Sequence, residues 1–335
     1  MSIGNGNGSG HVPVDLLPLE VPSQRVIIPH PVYKSPQRGA RSLAIAIGLF
    51  AITVVSTLAA GVEFSAAYAQ NHAPAMDDFF HVYFLALRDP RALLTGLPFA
   101  ITLMGILLAH ELGHFFACRY YRMSASFPYF IPAPTLFGTL GAFIRIRSAI
   151  VNRKALFDVG ISGPVVGFIF AVPALAIAIL HSRVVPGADS DVQFSFGVPL
   201  AMKLLTSLLR PGVAAGDLLL NPVGRAAWVG LFVTSLNLLP AGQLDGGHIL
   251  YSLASGFHKR ATQIVAIALV PLAYFWQGWI LWAVVLLAIG FRHPPLLDRW
   301  EPLDSKRRLW AAVALAIFVL CFMPAPLILH GGLLS

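Results

Sequence analysis

Five uncharged apolar runs, 42–62, 92–110, 159–182, 226–244 and 309–330, divide this 335-residue sequence. Crossing the hydrocarbon core of a bilayer takes about 20 apolar residues in a helix, and only helices and closed barrels satisfy their own backbone hydrogen bonds there. Five such runs in one chain call for a helical membrane fold. With 57% hydrophobic and 11% charged residues, no polar stretch is long enough for an appended soluble domain. A sixth run, 261–291, is too long for one upright helix and too short for two comfortable ones, so it reads as one tilted helix or as a hairpin around "FWQGW".

The expected fold class is therefore an all-α polytopic membrane protein of about six to seven transmembrane helices. One membrane domain would occupy 42–335, behind an arm over 1–41. That arm opens with the polar "MSIGNGNGSG", continues Pro-rich, lacks the pattern of a cleaved signal and reads as disordered.

Lys and Arg placement orients the runs. Arg25, Lys34, Arg38 and Arg41 put the arm in the cytoplasm, and 63–91, richer in acid than base, falls outside. Arg119, Arg122, Arg145, Arg147, Arg153 and Lys154 mark the strongest cytoplasmic segment. The near-neutral 183–222 lies outside and contains "MKLLTSLL", which resembles an interfacial helix; "FHKR", 257–260, is back in the cytoplasm. The basic content of "FRHPPLLDRWEPLDSKRR" favours the hairpin for 261–291.

The same clustering explains the net charge of +8 without nucleic acid, for which no motif is present. Cys118 and Cys321 sit in apolar runs as packing residues, and two cysteines make no disulfide framework.

Polar groups inside apolar runs are costly and point to function. His110, Glu111 and His114 form HExxH. On a helix, positions i and i+4 share a face, so both imidazoles can reach one metal while Glu111 leans toward a water beside it. Zinc suits two imidazoles, a carboxylate and a water. The plainer alternative is a pair of helix-end histidines facing solvent.

A third ligand is sought near the same membrane face, and the best candidate is Asp245 in "TSLNLLPAGQLDGGHIL", where Pro240, Gly242, Gly246 and Gly247 interrupt a helix. Irregular backbone at membrane depth belongs where it is buried in protein or lines a wet cavity. Taken alone, Asp245 could be a helix cap. His248 is a rival ligand or a supporting group and stays outside the metal set.

Together, "HELGH" and "NLLPAGQLDG" resemble the site-2 protease family of intramembrane zinc metalloproteases, whose pattern is HExxH on one transmembrane helix and NxxPxxxLDG on another. The likeness covers roughly 95–255. It implies one zinc held by His110, His114 and Asp245, Glu111 as general base and acid, and Asn237 holding the site or the tetrahedral intermediate. In "FGTLGAFIRIRS", the alternation suits an extended segment, and similar family stretches lie beside the active site. A strand edge there could pair with an unwound substrate, which makes Gly138, Thr139, Gly141, Ala142 and Phe143 the substrate-binding candidates; a plain cytoplasmic turn is the alternative. "GISGPVVG", 160–167, also resembles a stretch of the family's third core helix, and close helix packing suffices to explain it. The catalytic motifs are too close together for the PDZ-like domain some members carry.

The expected function is hydrolysis of a peptide bond in or near a transmembrane segment of a membrane-anchored protein. The expected setting is a bilayer, read as a prokaryotic inner membrane with an organelle membrane as the alternative, and with the site near the cytoplasmic side. A zinc carrier would need polar ligands strung across the membrane, and the first, third and last runs offer none. A non-cleaving binder of transmembrane partners would not need Glu111. Substrate identity and oligomeric state are not written in the sequence.

Overall fold

Among the described residues, three helices are long and apolar enough to cross a bilayer. They are α1 (Ala40–Ala69), α2 (Leu97–Tyr120, entered through a 3-10 turn over Pro90–Gly96) and α3 (Arg153–His181). The computed structural model describes residues 40–72, 88–186, 194–289 and 302–329, with Met1, Pro74, 82–84 and 296–298 besides. The arm expected over 1–41 falls, but for Met1 and its last two residues, outside the described residues.

The other helices among the described residues are shorter: α4 (Leu200–Leu209), α5 (Pro222–Asn237), α6 (Asp245–Ala254), α7 (His258–Leu272), α8 (Gly278–Ile289) and α9 (Ser305–Cys321). Run 261–291 thus holds two helices, α7 and α8, broken at 273–277 around "FWQGW". Two other runs are not continuous helices as expected. Run 226–244 stops being helical at Asn237, because the Pro240 and Gly242 turn follows. Run 309–330 stops at Cys321, where Pro324 and Pro326 cannot continue a helix. Beyond that break, Leu327–Leu329 forms a strand instead.

Helix starts follow local chemistry. The Asn152 side chain accepts from the Ala155 N–H (2.9 Å) at α3, and Asn221 accepts from Gly224 (3.0 Å) at α5, where Pro222 fills the first turn. Side-chain oxygens placed there satisfy amides that the first turn leaves unpaired.

Two-stranded sheets fill the ends. An antiparallel hairpin, β1 (Tyr129–Pro132) and β2 (Thr139–Phe143), lies between α2 and α3 in the chain, with a register irregularity between Phe130 and Pro132. It rests on α1: Ser56 Oγ donates to the Gly138 carbonyl (2.5 Å), and Ser42 bonds Tyr129 (2.6 Å). Unforeseen from the sequence, β3 (Arg183–Val184) pairs β5 (Leu218–Leu219), and β4 (Phe194–Phe196) pairs β6 (Leu327–Leu329).

Apolar side chains fill the interior and also cover much of the outside. Large apolar side chains such as Ile47, Ile52, Ile101, Ile177, Ile267 and Val284 point outward, whereas His110, Glu111, His114, Thr234, Ser235 and Thr262 are buried. Lipid tails are as apolar as leucine, so close backbone approach through small residues has to hold such helices together. α2 meets α3 in that way, since a Cβ on Gly113 would lie 2.6 Å from the Ser162 carbonyl oxygen. At the basic end, Arg307 at the start of α9 bonds Asp158 of α3 (Nε to Oδ1, 2.8 Å) and Tyr121 (3.1 Å), and Tyr121 donates to Asp158. This cluster ties α2, α3 and α9 together.

Candidate metal centre

HExxH falls in the last three turns of α2, and Asp245 is the first residue of α6. The α5–α6 turn folds back so that three ligand atoms converge. His110 Nε2 lies 3.2 Å and His114 Nε2 3.3 Å from Asp245 Oδ2, and the two imidazole nitrogens are 3.1 Å apart. Both histidines are buried, and this group could hold a metal ion.

These spacings suit zinc. Zinc binds nitrogen and carboxylate oxygen at about 2.0–2.2 Å, and tetrahedral geometry then separates neighbouring ligand atoms by about 3.3 Å. Protonation points the same way. His114 Nδ1 lies 2.7 Å from the Val159 carbonyl, which only accepts, so a proton sits on Nδ1, and in the neutral imidazole Nε2 keeps its lone pair. That lone pair faces a second imidazole nitrogen and a carboxylate, an arrangement that a cation at the centre satisfies.

α3 supplies the wall. A Cβ on Gly163 would lie 2.1 Å from His114 Nε2, one on Gly167 3.0 Å from His110 Nδ1, and one on Gly160 2.9 Å from the Cβ of His248. "GISGPVVG" therefore makes room for the ligand side chains themselves, beyond the helix packing that accounts for it in the sequence. Its i, i+3, i+7 spacing was the available signal. The Val159 carbonyl left none, because a backbone acceptor is invisible in a sequence. His248 sits on α6 beside α3 and is absent from the converging group.

Asn237 ends α5, and its side-chain amide is 3.3 Å from His110 Nε2. Glu111 is buried, and the Ile144 amide just past β2 faces its carboxylate. The hairpin thus reaches the site from the side of Glu111.

Of the candidate substrate residues, Thr139, Gly141, Ala142 and Phe143 form β2, and Gly138 precedes it with φ +76°. Thr139 Oγ1 donates to the Ile131 carbonyl (2.9 Å) and accepts from the Gly141 N–H (3.0 Å). Among the described residues β2 pairs only with β1. Next to β2 lies an apolar cavity of about 240 Å³, lined among others by Leu103 and Leu107 of α2, Leu140, Val233 of α5, and Trp276 and Trp282. Leu107 precedes His110 by one helical turn. Cys118 and Cys321 are buried and take no part in the site.

Residues 98–276 match Peptidase family M50. The probable zinc metalloprotease EGY1, chloroplastic, of Arabidopsis thaliana is 30% identical over 244 residues, which are 68% of this chain and 43% of that protein. EGY2 of the same plant, also named a probable zinc metalloprotease, is 30% identical over 251 residues, 71% of this chain and 43% of the relative. EGY3 of Oryza sativa subsp. indica is 26% identical over 248 residues, 68% of this chain and 42% of the relative. The chain spans less than half the length of these relatives. No solved structure matches it significantly.

Proposed function

The chain belongs to Peptidase family M50, and from that premise we propose that it is an intramembrane zinc endopeptidase cutting membrane-anchored proteins in or near a transmembrane segment. The observation that carries this reading is the convergence of His110, His114 and Asp245 from α2 and α6 at 3.1–3.3 Å, with Glu111 beside them. His110 and His114 through Nε2 and Asp245 through Oδ2 would hold the metal. When bound, zinc polarises a carbonyl and brings the pKa of its water down to about 7.

The residues of the chain do the rest. The Glu111 carboxylate takes a proton from the attacking water and returns it to the amide nitrogen of the leaving strand. The Asn237 side-chain amide donates to the carbonyl oxygen as charge develops there. Peptide bonds in an intact helix are shielded, so the substrate has to be unwound. The edge of β2 that is unpaired among the described residues, with Gly138, Thr139, Gly141, Ala142 and Phe143, offers main-chain pairing for such a strand. The cavity beside it suits one large apolar side chain of the substrate, near the scissile bond because Leu107 is one turn from His110.

We take α5, α9 and the α7–α8 pair to complete the crossings begun by α1, α2 and α3, giving the six to seven membrane helices of the sequence reading. The Lys and Arg bias sets the site near the cytoplasmic face, and the short loops favour a prokaryotic plasma membrane.

The test is zinc content and cleavage of a transmembrane model substrate by purified protein, parent against Glu111→Gln. Zinc retained with cleavage down by at least about 100-fold is expected of a lost general base. Unchanged cleavage would assign the activity elsewhere, and a parent that holds zinc without cutting any such substrate would favour a binder.

A further inference from the structure

The turn that carries the third ligand is pinned from outside the motif. Between Asn237 and Asp245, residue Gly242 adopts φ +56°, and its two backbone polar groups point to α7. Its N–H donates to Thr262 Oγ1 (3.1 Å), and its carbonyl accepts from His258 Nε2 (3.0 Å). Thr262 gives its own hydrogen to the His258 carbonyl (3.0 Å), which leaves its oxygen free to accept. His258 and Thr262 stand at i and i+4 on one face of α7, at 2% and 0% exposure, and the Tyr251 ring of α6 meets His258 edge-on at 5.4 Å.

The turn has no slack to absorb a shift. A Cβ on Gly246 would lie 2.1 Å from the Leu238 carbonyl oxygen, and one on Gly247 2.5 Å from that of Gly242. The start of α6 therefore rests backbone to backbone on the turn, and wherever Gly242 goes Asp245 follows. Asn237, at the other end of the turn, is subject to the same constraint.

We propose that His258 and Thr262 are positioning residues, which clamp both backbone groups of Gly242 and so fix Asp245 and Asn237 against His110. The inference rests on reading His110, His114 and Asp245 as zinc ligands. A buried amide or carbonyl that loses its partner must find another, and here that means moving the turn. Groups that orient a ligand typically alter metal affinity by about 10- to 100-fold when removed.

The experiment compares the purified full chain with His258→Ala, His258→Gln, Thr262→Val and Thr262→Ser. Zinc retention is titrated against a chelator, hydrogen exchange is followed at 238–246 and along α2 and α3, and kcat and KM are measured separately. Thr262→Val keeps the shape and removes the hydroxyl, both the acceptor for Gly242 and the donor to the His258 carbonyl, so it should fold even where His258→Ala does not. The expected result is zinc held about 10- to 100-fold more weakly by His258→Ala and Thr262→Val, with faster exchange at 238–246 alone. In addition, kcat should fall at near-parental KM, and His258→Gln and Thr262→Ser should recover most of the loss. Parental zinc affinity and kcat in Thr262→Val would overturn the clamp, even if that variant melts earlier. A parent that holds no zinc would overturn the metal-site reading and the clamp with it.

Discussion

At the scale of single residues, the absence of a side chain shapes the centre as much as the ligands do. Gly163 lies where any Cβ would sit 2.1 Å from His114 Nε2, whereas Gly105, on the ligand helix α2, has nothing within 4 Å of the same position. Gly163→Ala should weaken zinc binding about 10- to 100-fold, as expected when a ligand is turned from its geometry. Gly105→Ala should leave zinc binding alone and favour the helix by up to about 1 kcal/mol. Zinc titration of the two variants checks both. Tyr121 gives a pH-dependent counterpart. Burial first, and then its bond to Asp158, push its hydroxyl up to about 12 from the ordinary 10. The folded state holds that proton more tightly, so the stability it confers is complete below pH about 10 and is lost as pH rises toward 12. Thermal melts across that range should show the decline in the parent and less of it in Tyr121→Phe. Residue types in fixed spacing made His110, Glu111, His114 and the candidate Asp245 readable in the sequence, whereas Asn237 entered only through the family resemblance. Partners such as the Val159 carbonyl were not readable, because only the fold decides which carbonyl an imidazole meets.

Among the elements, α5 is constrained at both ends and along its length. It begins at the Asn221 cap, lines the apolar cavity with Val233 and ends at Asn237. Losing the cap in Asn221→Ala should cost about 1 kcal/mol, read as a lower melting temperature with zinc affinity unchanged. Filling the cavity in Val233→Phe should reduce kcat/KM for substrates with a bulky apolar residue near the cut more than for those with a small one; equal losses for both would detach the cavity from recognition. Existence of the elements was easier to read than their ends. Run 309–330 looked like one span because hydropathy does not register that Pro324 and Pro326 stop a helix, and the partner of Leu327–Leu329 lies far away, in Phe194–Phe196. The break in 261–291 could be read and the basic flank favoured it, but what holds it, such as Trp279 Nε1 donating to the Pro324 carbonyl (2.7 Å), exists only in the folded chain.

For the molecule as a whole, metal and fold are coupled, because a site built from α2, α5 and α6 exists only when they are packed. Removing zinc with a chelator should abolish cleavage, restore it on adding the ion back, and lower the melting temperature. Zinc at 100 times its Kd would add about 2.7 kcal/mol to the folded state. His110 and Asp245 stand 135 positions apart in the chain. During synthesis, therefore, α2 and α3 are made with two imidazoles before the carboxylate that would complete the set. On the proposed reading, the set that would hold zinc stays incomplete until α6 follows, and the order of synthesis delays any cleavage until that point.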